Sequence, residues 1–386
     1  MIWALMKLWP PWFCTEKAFM PIRSATITPP PWAFFLAGLK QISAFLPAQG
    51  IKAFHLSIAA FLAVADVALG ALLTAKYRYH AGIFFLCCPV TILLTGGYSQ
   101  FDNPALLAGL AAWLLIRAGG GEWRRLLPSA GLLGLSLAIK HIFFLFPLWL
   151  ILWSRLGSWR KRLAYAASAY GLFGLTFLPW AADPLSRAGI YQHVFLYRSK
   201  LYLSVLHLLA ASRHFWLVSA TETSVLTFIW VAALMAAGLK LRRGTSELFP
   251  MYLLVMVACS PALNDYYLAL PMLACAIFCP SWPIWAWVSM ALVALFSSSG
   301  GIFAFPFNRL YYLAMLSSQV TAGALFIVQL RPTDRVQGVP LSVPETARNA
   351  FTLAAGSMAV MFLLLAIKAW AWGMSSSTWL LPGDNG

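Results

Sequence analysis

Outside its arginine-rich connections, this chain keeps its reactive side chains in a few short clusters. Asp102 lies in Gln100-Phe-Asp-Asn-Pro104, Lys140 and His141 interrupt an apolar stretch, and Asp265 lies in Ser260-Pro-Ala-Leu-Asn-Asp-Tyr-Tyr267. His193, Arg198 and Lys200 fall in Tyr191-Gln-His-Val-Phe-Leu-Tyr-Arg-Ser-Lys200, and Arg309 closes Phe305-Pro-Phe-Asn-Arg309. A carboxylate can take the proton of an attacking hydroxyl, and cations or hydrogen-bond donors can hold a phosphate as negative charge builds on it. Asp102 and Asp265 are the candidate carboxylates, with Gln100, Asn103, Asn264 and Tyr266 as polar neighbours. Lys140 offers a compact cation and His141 a donor. Arg198 and Arg309 suit bidentate phosphate contact, and Lys200 and His193 add to the same surface. Each cluster also has a plainer reading. Asp102 before Asn103-Pro104 suits a helix start, as does Asn264-Asp265, and Lys140 can snorkel to an interface.

The elements that must position these groups are membrane helices. Of 386 residues, 61% are apolar and 10% charged, and mean hydropathy is +0.77. Soluble domains carry roughly 25% charged residues, so this composition excludes them, along with disordered and disulfide-scaffold chains. The net charge of +16, from 27 Lys and Arg against 11 Asp and Glu, fits cytoplasmic loops rather than a nucleic-acid partner. The expected fold is all-α, a polytopic transmembrane helix bundle of about 12 spans in one integral membrane domain over 1–386. The apolar runs are 53–75, 81–96, 104–117, 127–140, 142–154, 163–181, 219–239, 248–262, 266–279, 283–298, 310–330 and 350–372. Several fall short of the ~20 residues of a full crossing, so they recruit flanking residues or are broken where they line a cavity. Residues 1–47 read as an extracytoplasmic or interfacial segment, 182–218 as an extracytoplasmic interfacial segment and 331–349 as a cytoplasmic linker.

Sidedness follows from the basic loops. Lys76 and Arg78; Arg117, Arg124 and Arg125; Arg155, Arg160, Lys161 and Arg162; Lys240, Arg242 and Arg243; and Arg331, Arg335 and Arg348 all fall on one side if 127–154 is split at Lys140-His141. By the positive-inside rule that side is cytoplasmic. Read as one long helix, 127–154 would place Arg124 and Arg125 opposite the 155–162 cluster. The reactive clusters then gather on the other face.

Other features are open or plain. The interleaved apolar, basic and aromatic residues of 182–220 suit an interfacial helix that either anchors or recognises an anionic lipid headgroup. Asp66, alone within the first span, marks a proton or ion path or pairs with another helix. Cys275 and Cys279 are spaced i, i+4 but have no His or carboxylate with them, so they read as buried thiols. Gly119-Gly-Gly121 is a hinge, and the 18 Trp mark interfacial belts.

Ile27-Thr-Pro-Pro-Pro-Trp-Ala-Phe-Phe-Leu-Ala-Gly38 starts a helix after a proline run, the Gln100-Phe-Asp-Asn-Pro104 turn opens a span, and Lys140-His141 breaks a later one. In this order, over residues 25–155 and more faintly 258–272, the chain resembles the GT-C glycosyltransferases, closest to the dolichyl- or polyprenyl-phosphate-dependent glucosyl- and mannosyltransferases. The resemblance implies hexose transfer from a polyprenyl-phosphate-sugar donor to a lipid- or protein-linked acceptor, on the non-cytoplasmic face of what its compact length suggests is a bacterial inner membrane. Asp102 would be the acceptor-side carboxylate, and Lys140, His141, Arg198 and Arg309 the donor-phosphate clamp. The family places its general-base aspartate in a first external loop after an initial helix. This chain has neither that helix nor an Asp before Asp66, which leaves Glu16 as the stand-in. No cofactor is expected, and no ligand cluster calls for a metal. The rival expectations are a lipid or small-molecule transporter or flippase, and a non-catalytic relative.

Overall fold

A computed structural model describes residues 30–43, 45, 51–97, 100–119, 121–153, 156–190, 220–241, 248–259, 265–278, 288, 291–294 and 308–330. These are helical with short connections, and no strand occurs among them. The helices are α1 (Pro30–Ser43), α2 (Ile51–Lys76), α3 (Tyr79–Cys87), α4 (Pro89–Ile92), α5 (Asp102–Gly119), α6 (Trp123–Ile139), α7 (Phe146–Leu152), α8 (Trp159–Leu175), α9 (Pro184–Ile190), α10 (Ala220–Lys240), α11 (Leu248–Cys259), α12 (Ala269–Phe278) and α13 (Asn308–Leu330). They cluster into two compact units, Met1–Asp66 with Phe101–Arg198 and Val67–Gln100 with Ser199–Gly386.

Helix α2 alone is long and apolar enough to cross a membrane among the described residues. At 1.5 Å per residue its length is about 39 Å, more than the ~30 Å hydrocarbon core. Ile58, Leu62, Ala65, Leu69 and Leu73 are buried at steps of three and four, while Leu56, Val64 and Val67 stay exposed, as a lipid-facing surface would be. Its hydroxyls turn inward along the helix: Ser57 Oγ donates to the Ala53 carbonyl and Thr74 Oγ1 to that of Gly70. Two further crossings are possible if each of two bent pairs counts as one span.

The first bent pair is the run 81–96, expected as one span. It turns by 50° between Tyr79–Cys87 and Pro89–Gly96. Pro89 cannot donate, and Cys88 before it is extended (φ −70°, ψ 120°). Thr91 Oγ1 lies 2.7 Å from the Phe85 carbonyl and 2.8 Å from that of Cys88, so its hydroxyl can serve the acceptors exposed by the break.

The second bent pair lies in the first unit and turns by 116° between Trp123–Ile139 and His141–Leu152. Lys140 is the extended residue at the corner (φ −155°, ψ 128°). This is the split that the basic loops required. Helices α5 and α6 pack antiparallel, with Ser129 Oγ on the Ala112 carbonyl and Ser136 Oγ on that of Ala105. Moving seven residues along one helix moves seven back along the other, which fixes their register. Small residues on α5 allow this approach.

At the corner, Phe143 and Phe146 turn into the unit and meet Trp113, Trp149 and Trp153. Ring centroids are 6.0 Å apart for Trp113–Phe146 and 5.3 Å for Trp113–Trp153. Gly109 leaves room for this corner: a Cβ there would come within 2.5 Å of the Phe143 ring. Gly109→Ala is therefore expected to destabilise the protein by about 1–3 kcal/mol through overpacking, read as a lowered unfolding midpoint in detergent.

Helix α8 returns along α6, where the Tyr165 and Ser129 hydroxyls are 3.0 Å apart. Lys161 Nζ donates to the Gly121 carbonyl at 3.0 Å, joining the first turn of α8 to the α5–α6 connection. Gly121 has φ +91°, and a Cβ there would lie 2.7 Å from the Leu156 carbonyl oxygen. The basic connections therefore occupy one end of this unit. Asp102, Lys140 and His141 occupy the other, about 25 Å away along α5 and α6.

In the second unit α11 is central, buried from Leu248 through Val257, and packs against α10, α12 and α13. Helix α12 also packs on α3 and α4. At 12 and 10 residues, α11 and α12 rise about 18 and 15 Å. Their described lengths are shorter than the ~30 Å hydrocarbon core.

Candidate functional site

The first unit brings together residues from three separate stretches: Asp66 on α2, Phe101 to Asn103 at the start of α5, and Lys140 with His141 at the α6 corner. Asp102 and Asn103 are each 2% exposed. Lys140 Nζ sits 2.6 Å from both carboxylate oxygens of Asp102, with hydrogen-bond geometry to Oδ2. The lysine side chain is 11% exposed and also lies over the Phe101 ring, 5.2 Å from its centroid. It turns into the protein rather than outward, so snorkelling does not describe it.

The next residue makes a second bond: Asn103 Nδ2 donates to Asp66 Oδ1 at 2.6 Å. Of the two readings of Asp66, pairing with another helix thus has its partner in Asn103. His141 begins a turn of 3-10 helix beside Lys140. Its Nδ1 is buried and makes no hydrogen bond among the described residues.

These contacts have a physical logic. Taking Asp102 and Lys140 out of water costs several kcal/mol per charge, and close pairing is what makes their burial tolerable. Phe101 adds its ring face to the same cation. An acid within an apolar helix needs a polar neighbour on the adjoining one, and Asn103 supplies it to Asp66. Replacing Asn103 with leucine removes that donor from a half-buried carboxylate. The expected loss is about 1–3 kcal/mol of stability, measured by denaturant unfolding in detergent.

Compared with protein-family models, curated proteins and solved structures, the chain matches none. What the cluster can do therefore rests on its own chemistry.

Two charges of opposite sign lie side by side, with an amide, an imidazole and a second carboxylate in the same stretches of chain. A lysine ammonium carries three donors and a carboxylate two acceptor oxygens.

Of the other sequence-derived candidates, four belong to the second unit and five lie outside the described residues. Gln100 is half-buried and belongs to the second unit, where its backbone N–H donates to the Leu94 carbonyl. Asp265 and Tyr266 open the turn of 3-10 helix Asp265–Leu268 that leads into α12, and Arg309 is the second residue of α13, all in the second unit. Glu16, His193, Arg198, Lys200 and Asn264 lie outside the described residues. Sequence reasoning missed the Asp66–Asn103 bond and the Phe101 contact. The available signal was the rule that a membrane-embedded acid requires a polar partner.

Proposed function

We propose that this chain is a multi-pass membrane hexosyltransferase of GT-C-like, roughly twelve-span architecture. Its donor would be a polyprenyl-phosphate hexose and its acceptor a lipid- or protein-linked hydroxyl on the non-cytoplasmic face. The observation that carries this reading is the Asp102–Lys140 pair at the opposite end of its unit from the arginine-rich connections.

In this mechanism the donor phosphate engages Lys140, and His141 adds a hydrogen bond. The acceptor oxygen attacks C1 of the hexose as the bond from C1 to the phosphate oxygen breaks. The bonding electron pair leaves with polyprenyl phosphate, whose new charge Lys140 stabilises. The hydroxyl proton passes to the Asp102 carboxylate. Phe101 lies against the Lys140 ammonium, and Asn103 ties the start of α5 to Asp66 of α2.

Membranes from cells expressing the chain, given polyprenyl-phosphate glucose or mannose labelled in the sugar, should move label into an extractable lipid or a protein fraction. Background membranes should not. No label moved from either donor would contradict the reading. The rival reading is a lipid or small-molecule transporter or flippase, for which Asp66 is an acid within the membrane-length helix, although Asn103 is bonded to it. Flux of labelled substrate into vesicles without a covalent product would select it.

A further inference from the structure

At the arginine-rich end of the first unit, two neighbouring helices open with one pattern. Helix α6 begins Trp123-Arg-Arg-Leu-Leu127 and α8 begins Trp159-Arg-Lys-Arg-Leu163. In each, a tryptophan is followed by basic residues and then, four positions on, by a leucine on the tryptophan's face one turn deeper. All four apolar residues are exposed: Trp123 at 45%, Leu127 at 57%, Trp159 at 59% and Leu163 at 42%.

Such a ladder of aromatic ring over aliphatic side chain, with cations at the ring's level, matches the gradient from headgroup to acyl chain in a leaflet. The two ladders are neighbours, because Lys161 Nζ lies 6.0 Å from the Trp123 ring centroid and donates to the Gly121 carbonyl.

The charge count points to the partner. Arg117, Arg124, Arg125, Arg160, Lys161 and Arg162 face the single acid Glu122 across the described residues of these connections. Helix stability does not account for them: both helices carry their cations in the first turn, where the macrodipole favours acids. Three cations have work within the fold. Arg125 donates to the Ala118 carbonyl, Lys161 to Gly121 and Arg162 to Ile151, which close the ends of α5 and α7 and stiffen the connections. Arg124 and Arg160 are exposed, Arg160 with its guanidinium 5.9 Å from the Trp159 ring centroid, and neither donates to a carbonyl in this way among the described residues.

We propose that this end of the first unit is a preformed binding surface for anionic phospholipid. The lipid phosphate is held by Arg124 and Arg160, and its glycerol and acyl region lies along the Trp123–Leu127 and Trp159–Leu163 faces. This proposal does not depend on the transferase reading.

The test uses the full chain in nonionic detergent, titrated with phosphatidylglycerol or phosphatidylcholine and read by native mass spectrometry and melting temperature. The wild type should bind phosphatidylglycerol in preference to phosphatidylcholine, and the preference should shrink as sodium chloride rises. The pair Arg124→Gln with Arg160→Gln should bind phosphatidylglycerol roughly tenfold or more weakly, with phosphatidylcholine binding and melting in phosphatidylcholine unchanged. Equal binding of the two lipids by the wild type would overturn the proposal, as would undiminished phosphatidylglycerol binding by the variant. Equal stabilisation by soluble glycerol phosphate would also overturn it, since the site would then be for a free anion. Should the variant fail to fold, the wild-type lipid preference and its salt dependence decide.

Discussion

Neutralising both members of the buried pair, as Asp102→Asn with Lys140→Gln, is expected to lower hexose transfer by about 10²–10⁴-fold while the protein remains folded. The double variant keeps two polar side chains of similar size in hydrogen-bonding reach, so packing around Phe101 and α6 has little reason to change. In the proposed transfer it would lose the base for the acceptor's proton and the cation for the leaving phosphate. The measurement is the initial rate of label transfer from polyprenyl-phosphate hexose at matched protein level, followed over a range of donor concentrations. A rate within a few-fold of wild type would remove both residues from the chemistry and leave them a structural pair.

The second large effect is on stability, and it separates the structural role from the chemical one. Asp102→Asn alone leaves Lys140, 11% exposed, without its counter-charge, and Lys140→Gln alone strands Asp102, 2% exposed. Each single change is expected to cost about 3–5 kcal/mol, and the double variant to recover most of that loss. Equilibrium unfolding of all four proteins gives the coupling directly. Near-additive losses would mean that the two charges are solvated separately and that the close pair does not govern this corner.

Much of the helical order is legible in the sequence, for reasons that particular elements make plain. The apolar run at 53–75 ends at lysine and becomes Ile51–Lys76, and the run at 104–117 begins at an Asp-Asn-Pro start and becomes Asp102–Gly119. The corner at Lys140-His141 follows from charge parity, because only a reversal there puts Arg124 and Arg125 beside the cluster at 160–162. The bond from Lys161 to Gly121 has that arrangement. The bend at Cys88-Pro89 was legible in principle from its proline, but the apolar run is continuous across it.

Register between helices was not legible. Nothing in the spacing of Ser129 and Ser136 says that they will meet Ala112 and Ala105, since that depends on which small residues let two backbones approach. For the same reason Asp102 and Lys140 could be sorted to one face but not paired, and the bond from Asn103 to Asp66 spans 37 positions with no local signal. The division into two units is also hidden, because its first boundary, Asp66–Val67, falls inside one continuous apolar helix.

The Asp102–Lys140 end of the first unit is expected to face away from the cytoplasm, and the arginine-rich end toward it. Single cysteines at Ala182, beyond the end of α8, and at Ser158, before its start, place a probe at each end once the native cysteines are replaced. Treated with a membrane-impermeant maleimide, right-side-out vesicles should label the Ala182→Cys protein and spare the Ser158→Cys protein until the membrane is opened. Inverted vesicles should give the reverse. Labelling of both positions from one side, or of Ser158→Cys alone in right-side-out vesicles, would contradict this orientation.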